Sequence, residues 1–576
     1  MLRTLIDNYI DIVAEKKKPS FIYLAKALKI TPHAAESIAS LLERGRLVDI
    51  HYPLNIMEKP YVTMRPLPPE AEKPKEAAGS KALDAYSIEA DFVPADVAIK
   101  DINNSKFYII SFQELSYATR AFLDQIKDTL SNKISSGSSD YSDLEKADAI
   151  KNQFFKTTFD YLKAYGFEDK TTNLLAGLLL HRMFGLGEID VLTHDDWLEE
   201  IALNNAKTPI AVYHRKYGWL RSNMYLPNED EIFNYSAQIG RKVGRQIALL
   251  TPIMDARLET GDRVCATLSP ISSHGNTITI RRFARSPWTI ISLISEHART
   301  MTPEMAAMLW LAFHYELNMI VAGGTASGKT SALNALCAFI PPSQRIITIE
   351  DTRELMLPDQ QWNWVPLLTR NANPEGLGEV SMLDLLVTSL RMRPDRIILG
   401  EMRRAPEAEV LFEAMHTGHS TYATLHADTS SQVIRRLTQP PISIPSSELT
   451  SLHLLVVQYR DRRKNLRRTL EISEVVAGSQ SSELSAKIIY RWRPRSDTFD
   501  RIAEPTKFYD ELNLHTGMTK QEIDEQIKDR ANILVWMREN KLDSIEHVGN
   551  VFAQYYLDPD SITDAAKKKK KPESVL

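Results

Sequence analysis

Residues 319–330 read MIVAGGTASGKT, and the rest of the chain is best read outward from them. Gly323, Gly328, Lys329 and Thr330 stand at the spacing G-x-x-x-x-G-K-[ST], between an apolar strand pattern and a helix pattern running through Leu333 to Phe339. Glycine is scarce, 22 in 576 residues, so the cluster at Gly323, Gly324 and Gly328 marks a backbone that has to do what a side chain forbids. In this pattern the N–H groups curl round phosphate oxygens, and the following helix turns its positive end toward them. Thr325, Ala326, Ser327 and Ser331 complete the loop. Lys329 is expected to reach terminal phosphates and Thr330 to offer its hydroxyl to Mg²⁺, so the spacing predicts a site for ATP with Mg²⁺.

Beyond the loop, strand and helix patterns alternate, which predicts a mostly parallel sheet covered by helices. Ligands of such sheets bind at the carboxyl ends of the strands. Arg345–Thr348 runs into Glu350, Asp351 and Glu354; Arg396–Leu399 runs into Gly400, Glu401 and Arg403; Thr421–Leu425 runs into His426. Each has an ordinary alternative as a helix cap or a structural histidine. Jointly they make one polar edge able to coordinate Mg²⁺, orient water and donate to a terminal phosphate. The usual plan ends an apolar strand in Asp, whereas here RIILGE ends in Glu401 and Asp395 precedes the strand. Glu401 is therefore the candidate for activating an attacking water.

The chain is long enough for three or four domains, and a net charge of −4 gives it no overall basic field for nucleic acid or an anionic bilayer. Two cysteines exclude a disulfide framework and a structural zinc site and suit a reducing compartment. The charged start, MLRTLIDNYIDIVAEKKK, lacks the core of a secretory signal, and no apolar run reaches membrane-spanning length. Three short helix patterns and two alternating runs, LVDIHYP and PYVTMRP, give residues 1–66 a winged-helix-like look. The third helix, PHAAESIASLLER, carries Glu36 and Glu43 against Arg44, which favours protein docking over DNA reading.

The Pro/Glu/Lys-rich stretch at 67–82 reads as a linker. A mixed α/β adaptor segment is expected over 83–168, with a flexible loop at 135–143, followed by an α+β domain over 169–285. An interdomain linker at 286–300, an α/β domain over 301–558 with a C-terminal helical subdomain, and a disordered basic tail at 559–576 complete the expected order. Lys567–Lys571 is a candidate for peripheral contact with anionic headgroups, against the plainer reading of a solvated run.

Four ordered stretches, IVAGGTASGKTSALNAL, IITIEDTRELMLP, MRPDRIILGEMRR and MHTGHSTYATLHAD, resemble the Walker A, Asp box, Walker B and His box of the type II/IV secretion ATPases. That family also has Gly-Glu where other Walker B strands have Asp. FIPPSQRIITIEDTREL, TRNANPEGLGEVSMLDLL, RRLTQPPISIP and KDRANILVWMRENKL resemble its archaeal branch, which drives archaella and type IV pili. The resemblance implies a multidomain α/β fold: a RecA-like P-loop ATPase domain preceded by an α+β N-terminal domain and the winged-helix-like module. It further implies a cytoplasmic homohexamer, associated with the membrane through its machine, that hydrolyses ATP to move a polytopic membrane platform protein. Carried over by motif, Glu350, Glu354, Glu401 and His426 are catalytic, with Asp351 and Glu401 joining Thr330 at the metal and His419 joining the nucleotide contacts. Arg263 and Arg281 match arginines that reach the nucleotide from the N-terminal domain. The competing readings are a nucleic-acid translocase on a RecA-like hexameric core, which the acidic third helix disfavours, and a non-hydrolysing scaffold, which Glu401 disfavours.

Overall fold

The fold is that of a computed structural model, which describes residues 2–53, 59–65, 81–113, 115–134, 144–258, 260–283, 286–372, 376–464, 466–477 and 484–575. The chain divides into two units, Met1–Phe283 and Ala284–Leu576.

The first unit opens with helices Leu5–Lys16, Phe21–Leu28 and Pro32–Arg44. Thr4, Ser20 and Thr31 cap them by accepting from the N–H groups of Ile6, Tyr23 and Ala34, and Pro32 occupies a first-turn position where its missing N–H costs nothing. Strands β1 (Val48–His51) and β2 (Tyr61–Met64) pair antiparallel after them. These elements do not form a separate module. Ile6, Tyr9, Val13, Leu24 and Ile38 share one buried core with Phe122, Leu123 and Ile126 of helix Tyr117–Ile134 and with Leu175 and Leu179 of helix Asp169–Met183. The hydroxyls of Thr4 and Thr119 share a 2.7 Å hydrogen bond across the same contact. The expected boundary after residue 66 is thus not a boundary between cores: a linker-like composition says nothing about where the apolar faces on its two sides are buried. Residues 67–80 of the expected linker lie outside the described residues, as does the expected loop 135–143.

The shared core has a measurable consequence. Deleting residues 2–65 should strip the partner surface from Phe122, Leu123, Ile126 and Leu175. At roughly 1.5–3 kcal/mol per large apolar side chain re-exposed, the first unit should melt about 10 °C or more below its position in the full chain, or aggregate. Calorimetry of the full and truncated proteins checks this; an unshifted transition would show that the helices fold independently.

Strands β3 (Lys81–Ala90), β4 (Val93–Ile102), β5 (Ser105–Phe112), β6 (Leu198–Leu203), β7 (Ala211–His214), β8 (Gly218–Ser222), β9 (Ile253–Arg257), β10 (Arg263–Thr267) and β11 (Thr277–Arg281) make one sheet. Its order is β3-β4-β5-β8-β7-β6-β11-β10-β9, antiparallel throughout except where β5 meets β8. The segments expected as an adaptor (83–168) and a separate domain (169–285) are therefore one layer. Val97, Ile99, Tyr108 and Ile110 of the former pack with Ile201, Val212, Ile278 and Ile280 of the latter.

The second unit takes in the whole stretch expected as a linker at 286–300, and Ile290, Ile291, Leu293 and Ile294 are buried in its core. Its sheet consists of β12 (Met319–Gly323), β13 (Ile346–Glu350), β14 (Trp364–Leu368), β15 (Arg396–Leu399), β16 (Ser420–Leu425), β17 (Leu454–Asp461), β18 (Leu466–Ala477), β19 (Leu484–Arg493) and β20 (Thr498–Arg501). The order is β14-β13-β15-β16-β12-β17-β18-β19-β20, parallel from β14 to β17 and antiparallel beyond. Both faces are buried, which is why these strands read as unbroken apolar runs: Met319 and Val321 enter one core, Ile320 and Ala322 the other.

Helices Lys507–Thr516, Lys520–Glu539, Ile545–Leu557 and Pro559–Lys567 follow the sheet. The last replaces the disordered tail expected at 559–576. Ile562, Ala565 and Ala566 bury its apolar side, and the Trp536 indole donates to the Lys570 carbonyl at 2.8 Å. Lys567 through Lys570 meet Asp529, Asp564 and Glu539, carboxylates that a local reading of the lysine run does not take into account. Among the described residues no helix is long and apolar enough to cross a membrane.

Candidate functional site

At the carboxyl end of β12 the chain turns through 323–328 into helix Lys329–Cys337. Ala326 and Gly328 both hold the left-handed region, φ +58° and +91°, so successive N–H groups can converge as an anion nest. The Ser327 hydroxyl oxygen is buried with no partner among the described residues, and the Lys329 ammonium donates to the Gly324 carbonyl at 3.1 Å. Burial pulls the Lys329 ammonium below its usual range, against the opposing pull of Glu401, Glu354 and Asp428. Its charge is partly desolvated, next to three carboxylates, at a loop shaped for an anion. This donor set fits phosphates.

The neighbouring strand ends supply the acids. Glu350, the last residue of β13, is buried, and one of its oxygens accepts from the N–H groups of Glu354 (2.9 Å) and Leu355 (3.1 Å). Burial pushes its carboxyl up to about 7 in spite of those two bonds. Glu350 thus holds the following loop in shape. Its second oxygen is also buried and meets no donor among the described residues. The same side chain crowds the end of β15, since a Cβ on Gly400 would stand 3.1 Å from Glu350 Cγ. The acid of this strand end is the next residue, Glu401.

Arg403 ties the two remaining acids together. Its guanidinium donates to Glu401 at 2.7 and 2.9 Å and to Asp351 at 2.5 Å, and the Thr369 hydroxyl donates to the other Asp351 oxygen at 2.9 Å. The carboxylates expected at a metal are in this state paired with a cation, the Arg403 guanidinium. His426 follows β16, its Nε2 3.2 Å from the Thr325 hydroxyl.

One expected residue of this unit stands apart, and two more belong to the other unit. His419 precedes β16, and six strand residues at about 3.3 Å each carry it to the opposite edge from His426 and the loop. It lies beside the Thr417 hydroxyl, a strand's length from the loop. Arg263 and Arg281 belong to the first unit, facing each other in register on β10 and β11, with Arg263 donating to both oxygens of Asp255 at 3.0 and 2.7 Å. Two side chains at this edge have no individual role in the sequence reading. Arg403 enters it only as a member of the polar edge. Asp428, whose Oδ1 would stand 2.8 Å from a Cβ on Gly324, could have been found by carrying the β16 edge two residues past His426.

The family model described as type II/IV secretion system protein matches residues 241–474. An uncharacterised protein of Methanocaldococcus jannaschii is 32% identical over 383 residues, covering 62% of this chain and 68% of the relative. The type IV secretion system protein PtlH of Bordetella pertussis is 32% identical over 257 residues, covering 41% of this chain and 75% of its own. Among solved structures, the VirB11 ATPase of the Brucella suis type IV secretion system is 25% identical, with 48% of this chain and 89% of that chain covered and a TM-score of 0.25.

Proposed function

The chain belongs to the type II/IV secretion ATPase family, and from that premise we propose that it is a cytoplasmic, homohexameric motor that hydrolyses ATP to drive a membrane machine assembling a pilus-like filament, an archaellum or a secretion channel. The observation that carries the reading is the single edge on which the 323–330 loop, Lys329, Asp351, Glu401 and His426 converge. The loop N–H groups and Lys329 hold the phosphates, and the Thr330 hydroxyl with Asp351 holds Mg²⁺. When bound, Mg²⁺ supplies positive charge to the phosphate oxygens. Glu401, once released by Arg403, accepts the proton of the attacking water at Oε2. His426, already within hydrogen-bond reach of Thr325, donates toward the terminal phosphate.

In the same reading Arg263 and Arg281 complete the site from the first unit, Arg263 exchanging Asp255 for a phosphate oxygen. The force-receiving partner is a polytopic platform protein of the machine, and no specific nucleic acid is involved. Mixing tests the assembly and the arginine role together. Arg263→Ala subunits added to wild type should lower turnover per wild-type subunit by roughly tenfold at a fivefold excess, since an arginine finger is worth orders of magnitude in rate. Phosphate release across the mixing ratio, with mass by light scattering, checks it; turnover proportional to the wild-type fraction, or a fully active monomer, would count against the ring.

A further inference from the structure

One cation reaches the phosphate loop from a side that none of the sequence motifs occupies. β17 runs parallel to β12, with Gln458 in register with Gly323, so the β17–β18 hairpin leaves the sheet at the same edge as the loop. Near its tip the chain carries Arg460, Arg462, Arg463, Lys464 and Arg467. Arg467, the second residue of β18, lies over the loop. Its Nε donates to the Ala326 carbonyl at 3.3 Å, and its Cδ stands 3.6 Å from where a Cβ on Gly328 would project. The stem thus covers one left-handed residue of the nest while the head is bonded to the other.

The adjacent Arg468 shows what a structural arginine looks like on this strand: it is buried, donates to both oxygens of Asp497 at 2.8 and 2.9 Å, and gives a further bond to the Ala298 carbonyl. Arg467 has no such arrangement. It is half-buried, its Nη1 and Nη2 have no partner among the described residues, and no carboxylate among them neutralises it. A guanidinium with its terminal N–H groups unengaged, fastened to the rim of an anion nest, is placed to add charge and donors to what the nest holds.

Resting on the nucleotide reading of the loop, we propose that Arg467 is a nucleotide-positioning residue acting within its own subunit. It holds the Ala326 turn and strengthens the binding of nucleoside di- and triphosphates, through affinity more than through the chemical step. Arg467→Met keeps the stem over Gly328 and removes the charge and the donors; Arg467→Lys restores the charge alone. In the full chain, Arg467→Met should raise the Kd of a fluorescent ADP analogue and the KM for ATP by roughly tenfold each, with kcat at saturating ATP falling less than about threefold. Arg467→Lys should recover part of the affinity, and both variants should melt with the wild type. A Kd and KM within twofold of wild type in Arg467→Met, or a loss of kcat at unchanged KM, would overturn the proposal. If Arg467→Met does not fold, Arg467→Lys decides by the same criterion, since loss of the fork geometry should still weaken affinity severalfold. Wild-type protein that binds neither nucleotide would overturn the reading of the loop itself, an outcome distinct from wild-type binding that the variants leave untouched.

Discussion

Lys329→Ala should abolish ATP turnover, with phosphate release falling by about two to three orders of magnitude while the fold survives. The loss is large because the ammonium is the charge on the loop aimed at terminal phosphates, and it sits in a partly desolvated place where an electrostatic contact is worth more than in water. Its burial lowers its proton affinity even with Glu401, Glu354 and Asp428 around it, so the free protein carries a cost that bound phosphate would relieve. The fold should tolerate the change because the one hydrogen bond the ammonium makes among the described residues is to the Gly324 carbonyl, at the site itself, and the loop backbone is set by Ala326 and Gly328. A melting curve within a few degrees of wild type, together with lost turnover, is the expected pair of results. Retention of most of the turnover would remove the loop from the chemistry.

What the sequence disclosed and what it hid divide along a physical line. Glu401 and His426 were placed on the loop's edge because the direction of a parallel strand and the residue at its carboxyl end are local facts. His419 joins the nucleotide contacts by motif alone, while a strand of six residues sets it on the edge opposite His426. Glu350 and Gly400 could not be understood singly, because the glycine is crowded by the buried acid whose Cγ it adjoins across β13 and β15. The merging of 83–168 with 169–285 was equally invisible: alternation shows that Phe107 and Tyr108 take opposite faces of β5, but β5 pairs with β8, more than a hundred residues away, and nothing in either strand names the other. Arg467 and Arg468 are identical letters, one neutralised by Asp497 and one laid over the phosphate loop, and only the sheet's two faces tell them apart.

Glu401→Gln should still bind ATP but turn it over at least about a hundredfold more slowly, the usual scale for losing a positioned general base. The amide preserves the length and shape of a side chain whose position is set by Gly400 and β15, so nucleotide affinity should stay within a few-fold of wild type. What it cannot do is accept a water proton or attract Arg403. That second loss separates two readings of the pair. In this state Arg403 bridges Glu401 and Asp351, and without the Glu401 charge it is left to Asp351 alone. If Arg403 restrains the site, Arg403→Ala in the wild-type background should raise basal turnover by freeing both acids; if Arg403 instead orients Glu401 for the chemical step, the same substitution should lower it. In either case Glu401→Gln remains slow and Glu401→Gln with Arg403→Ala is no faster, because the proton acceptor is absent from both. Rapid-quench measurement of bound ATP and ADP settles the assignment: ATP accumulated uncleaved on Glu401→Gln is the expected result. Unchanged turnover would transfer the base to Glu354, one of the two other carboxylates whose charge bears on Lys329.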